Sequence, residues 1–204
     1  MQKTKNNKKL LESIDITKIY EPIEAIKILK ENTYTKFNET LEVAINLGID
    51  PNKTDQGIRG VTSLPKGTGK SIKVAVITKG DKQKEAKEAG ADLVGENELI
   101  DSISSGKILF DLLIASPDMM PSVGKVAKIL GPKGLMPNPK LGTVTQDIAT
   151  AVKNAKTGQV QFKNDKAGIV HAGIGKMNFD DNDLLENLKF FYQYLIQYCH
   201  LYHF

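Results

Sequence analysis

The sequence predicts an α+β domain built from two separate chain segments, with a three-layer, Rossmann-like α/β domain inserted between them. Three patterns support this: strands near one helix at the start, alternating strands and helices in the middle, and a strand pair before a long amphipathic helix at the end. Neither terminal segment has enough apolar residues for its own core. We therefore expect residues 1–66 and 159–204 to fold together around residues 67–158.

The first segment predicts one helix and two strands. Residues 21–31 have Pro22 in the first turn and apolar residues along one face, which is typical of a helix. Residues 37–49 alternate apolar and polar side chains, and residues 57–64 form a second strand pattern. The small polar stretch Pro65–Gly69 then indicates a flexible link between domains.

The middle segment predicts a parallel sheet, because strands alternate with helices. The expected order is strand 72–78, helix 82–89, strand 93–94, helix 96–104, strand 110–115, helix 122–130, strand 143–145 and a helix ending at Lys156 with Asp147 as its cap. After it, residues 159–163 and 169–172 predict a hairpin. Residues 181–198 predict a helix whose core side holds Leu184, Leu185, Leu188, Phe191, Leu195 and Ile196.

Composition sets limits on function. A net charge of +4 over 204 residues permits a nucleic-acid partner without demonstrating one. Arg59 is the sole arginine, so phosphate contacts would depend mainly on lysine. One cysteine excludes an intrachain disulfide. No apolar run is long enough to span a bilayer, so we expect no membrane partner.

Two enzyme-like patterns are weak. Gly67–Ser71 resembles the end of a phosphate-binding loop, but Leu64 stands where the motif needs its first glycine, and a strand follows instead of a helix. A flexible link is favoured over a small nucleotide-binding enzyme. Cys199, His200 and His203 are close in sequence, yet a solvated tail explains them more simply than a metal. We predict no catalytic set, metal or cofactor.

The stretch from Met119 to Gln146 contains four lysines and no acidic residue. Within it, Gly131–Pro139 (GPKGLMPNP) combines rigid and small residues with an apolar tip at Leu135 and Met136. This combination fits a loop that contacts RNA. A rigid structural connection is an equally good interpretation of the physics alone.

A second cluster of RNA-type residues belongs to the terminal segments. It consists of Lys36, Phe37, Thr40, Lys163, Asn164, Lys166 and His171. An aromatic ring beside lysines and amide groups suits stacking, phosphate neutralisation and hydrogen bonding to ribose and base edges. The alternative is a half-buried Phe37 and a solvated hairpin.

Three long stretches resemble the family of large-subunit ribosomal proteins numbered one. They are FNETLEVAINLGIDPNKTDQGIRG, FDLLIASPDMMPSVGKVAKILGPKGLMPNPKLGTVT and VQFKNDKAGIVHAGIGK, and the likeness runs from about residue 16 to about residue 198. GPKGLMPNP is the most specific part. The resemblance implies the split and inserted domains, and a mobile stalk beside the exit site for tRNA.

The resemblance also implies roles for residues. Both the second cluster and a loop with Lys133, Gly134, Met136 and Asn138 would face RNA, the cluster gripping stalk rRNA. The partners would be large-subunit rRNA, exit-site tRNA and the chain's own operon mRNA, which it would repress. The protein would be monomeric when free, and its ribosome would lie in the bacterial cytoplasm or an organelle. An RNA-binding translational regulator outside the ribosome is the alternative.

The end of the chain departs from the family pattern. Members continue past the last helix into a strand and a loop containing Thr-Met-Gly, whereas this sequence stops at Tyr198–Phe204. The resemblance therefore implies a shortened C-terminus, with three alternatives open: a lower affinity for rRNA, a neighbouring protein that substitutes for the missing strand and loop, or a truncated or misread gene end.

Overall fold

A computed structural model describes residues 14–15, 17–33, 35–50, 57–80 and 82–201. The helices are α1 (Pro22–Glu31), α2 (Lys82–Glu88), α3 (Asn97–Ser104), α4 (Met120–Gly124), α5 (Ala127–Leu130), α6 (Ile148–Lys156) and α7 (Asp181–Leu201), with 3-10 turns at Pro117–Met119 and Pro139–Leu141. The strands are β1 (Thr40–Asn46), β2 (Arg59–Ser63), β3 (Val74–Ile77), β4 (Leu93–Gly95), β5 (Leu112–Ala115), β6 (Gln159–Lys163) and β7 (Ile169–Lys176). The expected mixture of helices and strands is confirmed.

Strands from the two ends of the chain pair with each other. β1 is antiparallel to β7, from Thr40 opposite Lys176 to Asn46 opposite Ile169, with a register shift after Leu41. β2 is antiparallel to β6 in the same way. The pairing brings the polar side chains of the first and last parts of the sequence onto shared surfaces.

The predicted hairpin of residues 159–163 and 169–172 is wrong in its pairing. A turn joins β6 to β7, with the Asp165 N–H donating to the Ile169 carbonyl at 2.8 Å, but beyond one bridge between Asn164 and Val170 the two strands form no ladder. Each strand forms its ladder with a distant strand instead: β6 pairs with β2, where the Asn164 Oδ1 also accepts from the Ile58 N–H at 2.9 Å, and β7 pairs with β1. Sequence proximity favoured the wrong partner for each strand.

Helix α7 covers these strand pairs. Leu184, Phe191 and Leu195 are buried, and the Phe191 ring meets Phe162 of β6 edge to face at 5.6 Å between centroids. Ile196 was expected in the core but is 40% exposed. The buried side of the helix is therefore rotated slightly away from the predicted one.

The middle of the chain forms a parallel sheet in the order β4-β3-β5. All of β3 is buried, because helices pack on both faces of the sheet. Val74 and Val76 face a core shared with α2 and α6, while Ala75 and Ile77 face a core shared with α3, α4 and α5.

Two predicted elements of the middle segment are altered. The helix expected at 122–130 is interrupted after Gly124, where Lys125 and Val126 donate to carbonyls only three residues earlier. The strand expected at 143–145 is one bridge between Val144 and Ala115. The Asp147 cap of α6 is confirmed: its Oδ1 accepts from the Thr150 N–H, and this bonding lowers the pKa of the Asp147 carboxyl.

Within the described part of the chain, no helix combines the length and apolar character needed to cross a lipid bilayer.

Candidate nucleic-acid interface

The outward side chains of β1, β6 and β7, with the flanking loops at 35–39 and 164–168, form a surface that we call the open face. Phe37 precedes β1 and is 70% exposed, so its ring is available to stack on a base. The Thr35 hydroxyl donates to the Phe37 carbonyl at 3.1 Å, which helps to fix this turn. Lys36 beside it is also exposed.

The paired strands place polar side chains in rows. Thr40 lies opposite Lys176, and Ala44 lies opposite His171, which is exposed. On the neighbouring pair, Lys163 of β6 lies opposite Arg59 of β2. Two cations on directly opposed positions repel each other unless an anion joins them, so this pairing favours a phosphate.

The loop between β6 and β7 is organised by Asp165. Its Oδ1 accepts from the N–H groups of Ala167 at 2.8 Å and Ile169 at 2.9 Å. The hydrogen bond from Ile169, then that from Ala167, lowers the pKa of the Asp165 carboxyl. Its other oxygen lies 3.6 Å from the His171 Nε2. The loop therefore presents Lys166, which is exposed, from a fixed backbone.

Asn164 has a structural task in this loop. Besides its bond to Ile58, its Nδ2 donates to the Asp165 carbonyl at 3.2 Å. Both ends of the amide are thus engaged by the protein, although each keeps a second site for hydrogen bonding. Of the predicted rRNA contacts, Asn164 is the one whose substitution would also disturb the fold.

A recess of about 260 Å³ lies in the open face. Its lining includes Glu42, Thr68, Lys70, His171 and Gly173. It adjoins a larger cleft of about 570 Å³ that is shared with Gln161, Lys176 and Gly134. The strand face and the tip of the Gly131–Pro139 loop therefore line the same cleft.

The Gly131–Pro139 loop is less available than its sequence indicates. Lys133 and Gly134 are exposed, and Gly134 has a φ of +71°, which glycine accepts readily. Leu135 and Met136 pack against the core under the parallel sheet, so the apolar tip expected from the sequence is wrong. Asn138 caps a 3-10 turn, its Oδ1 accepting from the Lys140 N–H at 2.9 Å.

Residues 65–71, which we call the link, do not form a phosphate-binding loop. No helix follows them, since the chain passes directly to β3. Nor is the link loosely attached, because Asn187 of α7 hydrogen-bonds to the Lys66 N–H and the Gly67 carbonyl. The link is thus fastened to the last helix.

The described residues contain no group of three or more His, Cys, Asp or Glu side chains that could hold a metal ion. Cys199 is half-buried, and burial raises the pKa of its thiol. His203, which the sequence placed near it, lies outside the described residues.

Several residues of the open face were missed from the sequence. Arg59 could have been found from the strand register, once β2 is paired with β6. Glu42 could have been found as an outward position of the predicted first strand. Lys70 carries no such signal, because only the fold of the link brings it to this face.

Comparisons with known proteins give the chain its family. The model of the Ribosomal protein L1p/L10e family matches residues 29–200. The "Large ribosomal subunit protein uL1" of Rickettsia canadensis (strain McKiel) is 55% identical over 198 residues, covering 96% of this chain and 83% of the relative. The protein of the same name from Rickettsia bellii (strain OSU 85-389) is 60% identical over 173 residues, covering 85% and 72%. The chain therefore belongs to the Ribosomal protein L1p/L10e family, whose members are structural, non-enzymatic proteins of the ribosome.

Proposed function

We propose that this chain binds large-subunit rRNA directly through its open face and forms part of a mobile stalk near the site from which tRNA leaves. In this proposal residues 1–66 and 159–204 make one domain, and residues 67–158 make a second, inserted domain. The relatives from Rickettsia are large-subunit proteins by name. That origin favours a ribosome in the bacterial cytoplasm over one in an organelle.

The observation that carries the proposal is the exposed Phe37 ring, which adjoins the exposed Lys36 at one end of the paired strands β1 and β7. Lys163 and Lys166 are exposed near the other end of that pair, and no described acidic side chain forms a salt bridge with Lys36, Lys163 or Lys166. An aromatic ring so far in solvent contributes little to the fold. An exposed ring beside a lysine is an arrangement that binds a splayed base and its phosphate.

The Gly131–Pro139 loop supports a second contact from the inserted domain. Gly134 lines the cleft, where no side chain of its own blocks the close approach of an RNA backbone, and its neighbour Lys133 is exposed. This loop would meet RNA held by the open face or the tRNA that leaves. Opening and closing of the cleft would then accompany tRNA release.

The same open face would bind the chain's own operon mRNA, provided that this messenger presents a similar structure. Repression of translation would follow from competition between mRNA and rRNA for one surface. We propose no membrane partner and a monomeric state when the protein is free of the ribosome. Sedimentation separates this role from that of a regulator outside the ribosome: the chain should migrate with the large subunit.

A binding assay tests the proposal. The 204-residue chain is titrated against a stalk fragment of large-subunit rRNA and against a structured RNA of equal length and shuffled sequence, at several salt concentrations. We expect tighter binding to the stalk fragment and a fall in affinity with salt. Equal affinity for both RNAs would contradict the proposal.

A further inference from the structure

A buried amide fastens the link to the rest of the protein. Asn187 lies in the middle of α7 with no exposed surface, among Leu184 and Phe191. Its Oδ1 accepts from the Lys66 N–H at 3.1 Å, and its Nδ2 donates to the Gly67 carbonyl at 3.0 Å and the Ile174 carbonyl at 2.9 Å. One side chain thus joins the last helix, the link and β7. Because its oxygen and its nitrogen are both hydrogen-bonded, the buried Asn187 side chain is held in one position.

A glycine contact holds the link from the other side. Gly67 and Gly158 both have positive φ, at +68° and +96°. A methyl group built on Gly158 would lie 2.5 Å from the Gly67 Cα, so only hydrogen allows the two backbones this close. The Leu64 N–H also donates to the Gly158 carbonyl at 3.4 Å. The two passages of chain into and out of residues 67–158 are therefore packed together.

The two lysines of the link differ in their salt bridges to described acidic side chains. The Lys66 Nζ is 3.3 Å from Asp183 and 3.5 Å from Glu186, and these carboxylates, Asp183 first, raise the pKa of the Lys66 ammonium. No described acidic group forms a salt bridge with Lys70. Lys66 is thus neutralised by the protein itself, whereas the charge of Lys70 is available.

Lys70 lies on the open face. A methyl group built on Gly173 would lie 3.7 Å from the Lys70 Nζ and 3.3 Å from the Thr40 Cγ2. Lys70 lines one recess with His171 and Glu42. The absence of a side chain at Gly173 leaves the Lys70 ammonium above the strand surface, next to residues that the sequence assigned to RNA.

We propose that Lys70 is a phosphate contact of the RNA interface, and that Asn187 positions it by fastening the link to α7 and β7. The inference rests on the proposed function, because the phosphate belongs to the RNA held by the open face. It adds a contact from the connection between the chain segments. RNA bound to the open face is thereby joined to the link itself.

The other ionisable groups of the recess are compatible with this assignment. Glu42 repels a phosphate, but its carboxylate can accept from a ribose hydroxyl or an exocyclic amino group. His171 faces the Asp165 carboxylate at 3.6 Å. Lys70 is therefore the one lysine or arginine among the described residues that line the 260 Å³ recess, and no described acidic side chain forms a salt bridge with it.

The test uses the salt dependence of binding to the stalk rRNA fragment. Each neutralised phosphate contributes about 0.7–0.9 to the slope of log K against log salt concentration. We expect Lys70→Gln to lower the slope by about that amount and to weaken binding severalfold. Lys66→Gln is the matched control from the same link and should leave the slope unchanged. Equal slopes for wild type and Lys70→Gln, or an equal loss in Lys66→Gln, would overturn the proposal.

Asn187→Ala tests the positioning role. If Asn187 acts through Lys70, this variant should also lower the slope, and the double variant with Lys70→Gln should show the slope of Lys70→Gln alone. Additive slope losses would contradict positioning. Partial unfolding of Asn187→Ala lowers the amount of active protein but not the slope of the folded fraction. Lys70→Gln tests the contact even where Asn187→Ala does not fold.

Failure of the proposed function would look different from failure of this inference. The first would appear as equal binding of wild type to stalk and shuffled RNA. The second would appear as a preference for stalk RNA that is retained while Lys70→Gln keeps the wild-type slope.

Discussion

The open face and the Gly131–Pro139 loop are two lysine-bearing surfaces of one cleft, and they use their residues in opposite ways. The open face leaves Phe37 70% exposed and turns its lysines to solvent. The loop folds Leu135 and Met136 against the core and uses Asn138 as a cap. The loop has the more distinctive sequence, yet the open face has more side chains free to bind. A segment that identifies a family need not be its main binding surface.

The glycines of the two regions should differ most in stability. Gly158→Ala adds a methyl group 2.5 Å from the Gly67 Cα at a φ of +96°, so overlap adds to backbone strain. Gly134→Ala, at a φ of +71° with nothing nearby, has strain alone. We expect Gly134→Ala to lower the free energy of unfolding by about 1–2 kcal/mol and Gly158→Ala by more than roughly 3 kcal/mol. Urea unfolding of both variants measures this, and equal losses would contradict the close packing of the link.

The open face and the Gly131–Pro139 loop should also differ in their contribution to RNA affinity. Phe37→Ala with Lys166→Ala removes a ring and a charge from the open face, and stacking alone is worth roughly 1–3 kcal/mol per base. We expect a loss of about one to two orders of magnitude in stalk rRNA affinity. The control Lys133→Ala, from the Gly131–Pro139 loop, should weaken binding only slightly.

The two single variants separate the contribution of the Phe37 ring from that of the Lys166 charge. Phe37→Ala should reduce affinity without changing the salt slope, because the ring carries no charge. Lys166→Ala should reduce the slope by about 0.7–0.9. A larger effect of Lys133→Ala than of the double variant would move the main RNA site to the Gly131–Pro139 loop.

The smallest expected effect is a pH dependence of stability, which should arise at the Asp165 loop and not at the loop that Asn138 caps. Hydrogen bonds from Ile169 and Ala167 hold the pKa of Asp165 below its ordinary value of 3.8. A depressed pKa stabilises the fold above the ordinary pKa, and this contribution is lost as pH falls through the lower folded value. Asn138, which organises the other loop, does not titrate.

Asp165→Asn keeps an acceptor oxygen but removes the charge. We expect the thermal midpoint of wild type to exceed that of Asp165→Asn at neutral pH and to converge with it in acid, below about pH 4. Asn138→Ala should show a pH-independent difference instead. A constant gap between wild type and Asp165→Asn across the titration would contradict the assigned role of the carboxylate.

Local patterns predicted most elements of the fold. Pro22 marks the start of α1, and Asp147 caps α6, because both signals act within one helical turn. Pairing was harder to predict: β6 and β7 are neighbours in sequence, but each forms its ladder with a strand from the first part of the chain. Ile196 was misplaced because a wide apolar stripe does not define which of its edges is buried.

The candidate site was predictable where its residues share a local pattern. Phe37 beside Lys36 is such a case, and the structure places both in solvent. Asn187 was missed because a polar residue in an amphipathic helix is expected on the solvent side, and its partners, in the link and in β7, are brought to it only by the fold. Lys70 was missed because only the fold of the link brings it to the open face.

Lysine footprinting of the free and RNA-bound chain tests most directly whether the open face is the principal surface for rRNA. Amine-reactive labelling with mass spectrometry reports the protection of each lysine by bound stalk rRNA. We expect strong protection of Lys36, Lys163 and Lys166, clear protection of Lys70, and weaker protection of Lys133. Strong protection of Lys133 with unchanged reactivity at Lys163 and Lys166 would show that the open face is not the principal surface for rRNA.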